Sequence, residues 1–366
     1  MADISKISGV DWDDVAKVGG SAKGDILAVG GSSAAAGTTP ATRWLAGAAT
    51  GKIFYTGTGS ATEGWMELVD LGHNENKTIA IGGAPAEGVK RWIVYTVQNT
   101  NEITYANDAD DITVAGNWTA VNFSTNTKAA EGGPGIAWGN DIWVAGGLQV
   151  NDGDSYVTMH RSTNGAAAWS LVDEGNTVND ATRSVVYKDG STWFMGHQSH
   201  VWKSTDDGAS WTDTVTLEGT KDIYAMAYNG SGLWVAVLQS GNIYTSDDDW
   251  GTATERTSGT GYNLLGGVVY AKGSINKWVV AGATGRLLTS PDGVTWTKVW
   301  DGDDSSWGTS HIYGIATDHT TVVICGAGGK IATSTDGETF TIRSIAGSPG
   351  QSIFSVACDV IGAGMR

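Results

Sequence analysis

The stretch Tyr224-Ala-Met-Ala-Tyr228-Asn-Gly-Ser-Gly-Leu-Trp234-Val-Ala-Val-Leu-Gln-Ser-Gly-Asn242-Ile-Tyr-Thr245 holds three short runs separated by two glycine-bearing turns. The first two runs are continuously apolar, the mark of strands covered on both faces, and the third alternates. The same order recurs along the chain. A tryptophan-centred run appears at Trp44, Trp92, Trp143, Trp193, Trp234 and Trp278, and in Val323-Ile-Cys without the tryptophan, at spacings averaging about 46 residues. A first run such as Val268-Val-Tyr270 or Ile312-Tyr-Gly-Ile-Ala316 precedes it. An alternating third run follows, as in Lys52-Ile-Phe-Tyr55, Glu102-Ile-Thr-Tyr105, Val201-Trp-Lys-Ser204, Arg286-Leu-Leu-Thr289 and Lys330-Ile-Ala-Thr333. A fourth comes after an Asp/Gly turn, as in Trp211-Thr-Asp-Thr-Val and Trp296-Thr-Lys-Val. Seven units of four strands, with almost no helical periodicity, predict an all-β seven-bladed β-propeller of four-stranded antiparallel blades.

The turn before the fourth strand carries a motif. Ser204-Thr-Asp206-Asp-Gly208-Ala-Ser-Trp211 fits S-x-D-x-G-x-x-W, and Thr289-Ser-Pro-Asp292-Gly293-Val-Thr-Trp296 and Thr333-Ser-Thr-Asp336-Gly337-Glu-Thr-Phe340 are close to it. Ser162-Thr-Asn164-Gly165-Ala-Ala-Ala-Trp169 is a degenerate copy with one extra residue and Thr245-Ser-Asp-Asp-Asp249-Trp250 a poorer one, while Trp65 and Trp118 stand at the equivalent place in the first two units. The motif resembles the Asp-box (BNR-like) repeat of sialidase-type propellers, which implies hairpins at the blade periphery. A structural role suffices: the serine and aspartate side chains accept from the turn's own N–H groups, glycine supplies a positive φ, and the ring packs between sheets.

Residues 1–25 repeat on a shorter period. Asp3-Ile4-Ser-Lys-Ile7-Ser-Gly9, Asp14-Val15-Ala-Lys-Val18-Gly-Gly20 and Asp25-Ile-Leu-Ala-Val29-Gly-Gly31 are spaced by eleven. Three such strands cannot enclose a core, so Ile4, Ile7, Val10, Val15 and Val18 are expected to form an assembly anchor against another surface. The segment resembles N-terminal pieces of tailed-bacteriophage virion structural proteins. The propeller is then expected over residues 26–366, with Ile26-Leu-Ala-Val29 a candidate inner strand of the first blade. The terminal run Ser352-Ile-Phe-Ser-Val-Ala-Cys-Asp-Val360 has no second strand after it and is expected to pair with the first blade and close the ring.

Composition narrows the function. Glycine accounts for 53 of 366 residues against 5 prolines, and 39 acidic against 22 basic residues give a net charge of −17. Such a surface repels nucleic acid and anionic lipid. The N-terminus has no signal-peptide pattern and no apolar run approaches the ~20 residues of a membrane helix, so synthesis in the cytoplasm is expected. Cys325 and Cys358 lie in apolar runs and read as buried free thiols.

Catalytic constellations are sparse. Eight arginines and no Arg-Ile-Pro argue against a sialidase; Arg43 and Arg91 read as solvated caps over aromatic faces. His197-Gln-Ser-His200 reads as a solvated turn, and the clusters Asn151–Asp154, Asp247–Asp249 and Asp301–Asp304 lack a calcium-loop pattern. No enzyme activity, cofactor or metal is expected. Trp300 and Trp307 flank Asp301, Asp303 and Asp304 in a long connection, the leading surface-loop candidate for binding. The expectation is a non-enzymatic tailed-phage virion protein, a tail, fibre or head-decoration propeller present in multiple copies. Other virion proteins would be partners of its N-terminal segment, with a host surface glycan or protein as an outer contact. Two rivals stay open: a protein-binding assembly factor resembling photosystem II stability factors, and a glycan-binding or glycoside-hydrolysing propeller.

Overall fold

Seven antiparallel sheets succeed one another along residues 43–359, and the first strand of each lies against the first strand of the next around a closed cycle. The chain is an all-β seven-bladed propeller. The computed structural model describes residues 43–56, 64–72, 76–96, 102–122, 127–128, 135–151, 154–166, 169–177, 182–302, 306–346 and 350–359, with the backbone of 6–7 and 10–11. Contacts divide the chain into two units, Met1–Pro40 and Ala41–Arg366. In the first, Lys6–Ile7 pairs with Val10–Asp11, with Ile7 opposite Val10. Ile4, Val15 and Val18 fall outside the described residues.

Blades 4 to 7 are regular. Blade 5, for example, runs Ile223–Tyr228, Trp234–Leu238, Ile243–Ser246 and Thr254–Arg256 from the axis outward. The second strand is the most buried because neighbouring blades cover both of its faces; every residue of Trp234–Leu238 and Val322–Gly326 is buried. The six repeated tryptophans are at most 1% exposed, and several place the indole N–H on a partner: Trp92 on Asp108, Trp143 on the Gly83 carbonyl and Trp234 on Asp249. Close approach between blades dictates some glycines, as at Gly135 beside the first strand of blade 3, where a Cβ would sit 2.6 Å from the backbone nitrogen of Val185 in blade 4. Outer strands such as Thr254–Arg256 and Thr341–Arg343 are short, exposed and rich in threonine and charge, which blunts their free edges.

Closure uses the terminal segment from both sides. Ile353–Asp359 pairs antiparallel with Arg43–Ala48 as the innermost strand of blade 1, while Ile345–Ala346 pairs parallel with Trp65–Met66 as its outermost. Ile26–Val29, the alternative inner strand, lies outside the described residues, and the place beside Arg43–Ala48 is held by Ile353–Asp359. Asp359 is buried and accepts from both Arg43 (3.2 Å) and Lys90 (3.2 Å) of blades 1 and 2.

Blade 3 departs from the pattern. Its strands Ile142–Asn151, Asp154–Ser162 and Trp169–Thr177 are nine or ten residues long, against three to six in blades 5 to 7, and Thr127–Lys128 adds to the first of them.

Candidate functional site

The box turns form one hydrogen-bonded device in five blades. In blade 6, Ser290 Oγ accepts from Gly293 N (2.8 Å) and donates to Asp292 (2.9 Å), whose Oδ1 accepts from Val294 N and Thr295 N (both 2.8 Å). Ser334 and Asp336 repeat this with Gly337, as do Ser162 and Asn164 with Gly165; Ser204 and Asp206 do so with Gly208, one residue further on. Gly208, Gly293 and Gly337 all have φ between 74 and 76°. The rings of Trp211, Trp296 and Phe340 are half-buried, and the two indoles donate to Gly208 and Gly293 carbonyls at 3.1 Å. Blade 5, weakest in sequence, has the same turn. Ser246 Oγ accepts from Trp250 N (2.8 Å) and Asp248 accepts from Thr252 N (2.9 Å), with Trp250 in the glycine's place at φ 63°.

These turns also join blades. Arg91 of blade 2 donates to the Asn164 carbonyl of blade 3, Arg161 of blade 3 to the Asp207 carbonyl (2.8 Å), Lys188 of blade 4 to Asp249 (2.7 Å), and Lys277 of blade 6 to Glu338. The two arginines read as solvated caps are also ties. Arg91 is 4% exposed, not a solvated cap, and bonds Glu87 and Asn107 with its guanidinium 5.0 Å from the Tyr105 ring. Arg43 joins Asp108 to Asp359.

Partial burial pushes the Asp336 carboxyl up. The N–H groups of Thr339 and Glu338 and the hydroxyls of Ser334 and Thr339 outweigh that, leaving it at about 2, well below the ordinary range of an aspartate. Asp206, Asp248 and Asp292 are also lowered, chiefly by hydrogen bonds from Ser210, Thr252 and Thr295 respectively. A carboxylate depressed in the fold stabilises it above the unfolded pKa, and that contribution fades as pH falls through the folded one. The box contribution is therefore expected to persist at pH 5 and to decline between about pH 4 and 2. Asp336→Asn keeps an acceptor, as Asn164 does, and is expected to flatten the decline of melting temperature over that window. An acid profile identical to the parent's counts against the assignment.

The long connection of blade 6 is corrected. Trp300 and Trp307 do not present a binding surface: both are buried, 5.9 Å apart by ring centroids, with Phe340 against Trp300. The apolar space between blades 6 and 7 takes them. Asp301 pairs with Arg286 (3.2 Å) and Lys298 (2.9 Å), and Asp303 and Asp304 lie outside the described residues. The His197–His200 turn is corrected likewise. His197 is buried at 3% exposure, and His200 is 2.8 Å from Asp213. No group of three or more His, Cys, Asp or Glu capable of holding a metal occurs among the described residues. Cys325 and Cys358 are buried free thiols, and burial pushes both up.

The cavity that the ring builds is the axial channel. Ile79, Ile136, Val185, Val268, Ile315 and Val356 line both of its halves and form an aliphatic girdle between them. Two residues further along each first strand stand Trp138, Tyr187, Tyr228 and Tyr270 in blades 3 to 6, beside a cavity of about 670 Å³. Each tyrosine packs on the tryptophan of the next strand, at 4.7 to 5.0 Å. Two residues before the girdle lies the opposite mouth, a smaller cavity of about 230 Å³ lined by Lys77, Arg183, Tyr224, Tyr313 and Phe354. Lys77 Nζ sits 3.6 Å above the Phe354 ring, whose centroid is 5.3 Å from that of Tyr313. Arg183 pairs with Asp222 (3.2 Å) and lies 5.4 Å from the Tyr224 ring. No aspartate or glutamate is among the described residues lining either cavity. Sequence reading missed this mouth. Aligning the first runs on the girdle position would have shown it, since the residue two places earlier is Lys77, Arg183, Tyr224, Tyr313 or Phe354 in five blades.

No protein-family model matches the chain, and no curated protein sequence does. Solved structures do resemble it. A structure of YCF48 bound to a D1 peptide is 14% identical, covering 73% of this chain and 81% of that one with a TM-score of 0.53. YCF48 from Cyanidioschyzon merolae is also 14% identical over 73% and 85%, with a TM-score of 0.53. A GH74 enzyme of Niastella koreensis is 17% identical over 81% of this chain, with a TM-score of 0.58, but this chain spans only 51% of its length. At such identities the likeness establishes the fold, a seven-bladed β-propeller.

Proposed function

We propose that the protein is a non-enzymatic structural component of a tailed-phage virion, a propeller appendage held through its N-terminal repeats and turned toward the host surface. The observation that carries this reading is the eleven-residue repeat of residues 3–31, all of it within the unit Met1–Pro40, while the blades lie in the unit Ala41–Arg366. The ring is tied at successive box turns, which suits a part that transmits load rather than one that opens and closes. Deleting residues 1–24 is expected to abolish incorporation into particles, by mass spectrometry of purified virions, while leaving the melt of the ring unchanged. Normal incorporation of that deletion sinks the anchor.

A second reading has its own support. The chain matches YCF48 over most of both lengths, and that protein is seen with a peptide bound, which favours a protein-binding assembly factor. Retention of the deletion variant on a cellular protein, without any particle, is the outcome that this reading expects.

A further inference from the structure

We propose that Asn229-Gly230 is a self-modifying site: in the folded chain the Gly230 nitrogen closes on the Asn229 carboxamide, ammonia leaves, and water opens the ring to a carboxylate at the larger mouth of the channel. Asn164-Gly165, the other pair of this type in the chain, is held out of the same reaction. The site is independent of the N-terminal anchor and of any bound peptide.

The chemistry is an acyl transfer within the backbone. Glycine has no side chain to shield its nitrogen or restrict its dihedrals, so an Asn-Gly pair reaches the five-membered ring with least hindrance. The Gly230 N–H gives its proton to solvent base, and the nitrogen attacks Asn229 Cγ. The new C–N bond forms, the Cγ–Nδ2 bond breaks, and Nδ2 departs as ammonia. Water then adds to either carbonyl of the cyclic imide, giving aspartate or isoaspartate. The sum converts carboxamide and water to carboxylate and ammonium, with nothing oxidised or reduced.

Both asparagines are polarised alike, and three differences separate them. Oδ1 of Asn229 accepts from Ser231 N (2.8 Å) and Leu233 N (3.0 Å), as Oδ1 of Asn164 accepts from Ala166 N (2.9 Å) and Ser162 Oγ (3.1 Å). Donors so placed stabilise the oxyanion that the attack creates. The nucleophiles differ: Gly165 N donates to Ser162 Oγ (2.9 Å), whereas Gly230 N makes no hydrogen bond among the described residues. The leaving groups differ too, since Asn164 Nδ2 is held by Glu87 (2.9 Å) and Asn229 Nδ2 has no such bond among the described residues. Access of water is the third difference. Gly165 is buried, while Gly230 and Ser231 are exposed in the turn joining Ile223–Tyr228 to Trp234–Leu238. Lys272, which lines the larger cavity, puts Nζ 2.5 Å from where a Cβ on Gly230 would stand. An ammonium there favours loss of the Gly230 amide proton and offers the new carboxylate a nearby positive charge.

The test incubates the full chain in mildly alkaline buffer beside synthetic peptides spanning 225–233 and 160–168, and follows both sites by mass spectrometry of proteolytic fragments. The two peptides are expected to convert at similar rates. In the folded chain Asn229 should stay within about tenfold of its peptide, and Asn164 should be at least about tenfold slower than Asn229, the factor that one ordinary hydrogen bond supplies. In urea the two sites should converge. Asn229→Asp, the direct product, is expected to melt no lower than the parent, because a carboxylate accepts the same two N–H bonds. The proposal is overturned by Asn229 remaining intact in the folded chain once its peptide has fully converted, or by Asn164 keeping pace with it. A difference between the sites that persists in urea, or an Asn229→Asp variant melting several degrees below the parent, overturns it equally.

Discussion

Truncation after Pro349 is expected to abolish the single cooperative melt of the ring. The cut removes the innermost strand of blade 1 and with it the buried side chains of Ile353, Val356 and Cys358. Burial of an apolar side chain of that size contributes about 1.5–3 kcal/mol, so the three together contribute about 5–9 kcal/mol. That rivals the ~5–15 kcal/mol by which a whole domain is stable. The loss also uncovers Trp44 and Phe54, which share a core cluster with the lost strand, and leaves Arg43 and Lys90 without the Asp359 carboxylate. Calorimetry should show a broad or absent transition. A sharp melt within a few degrees of the parent's would mean the ring closes some other way.

Trp250 gives the second large effect, with an unusual order among its variants. Its ring is fully buried, 6.3 Å from Trp234, and its backbone has φ 63° with the N–H on Ser246 Oγ. Removing such a ring costs about 3–5 kcal/mol. Alanine would keep the left-handed conformation, at roughly 1–2 kcal/mol that glycine does not incur. Trp250→Gly is therefore expected to be more stable than Trp250→Ala, the reverse of their order in an ordinary strand. Chemical denaturation measures both midpoints. Finding the alanine variant equal or better would remove the argument that this residue stands in for the glycine.

Trp250 also shows where the fold was legible in sequence and where it was not. The strands could be read because repeated burial between blades forces continuous apolar runs at fixed spacing, as in Tyr224–Tyr228 and Trp234–Leu238. The box of blade 5 read only as a poor copy by residue type. Its hydrogen bonds need only Ser246, Asp248 and a backbone N–H in the right place, and the aromatic moved from the position of Trp211 to that of Gly208. Trp300 and Trp307 misled in the opposite sense: a long acidic connection suggested exposure, whereas the rings fill space that no repeat unit specifies. The mouth of the channel was hidden for another reason. Its residues come from five blades, so no local spacing brings them together; only the common register on the girdle does.

The strap that embraces blade 1 sets an order of events during synthesis. Some 305 residues separate Ala48 from Ile353, and the inner place beside Arg43–Ala48 stays empty until the later strand has left the ribosome. At about 5–20 residues per second that wait lasts roughly 15–60 s. Through that interval blade 1 exposes its inner edge to the growing chain and to its neighbours on the polysome. The same delay acts as a check on completeness, because a channel whose wall includes Phe354 and Val356 exists only on chains translated that far.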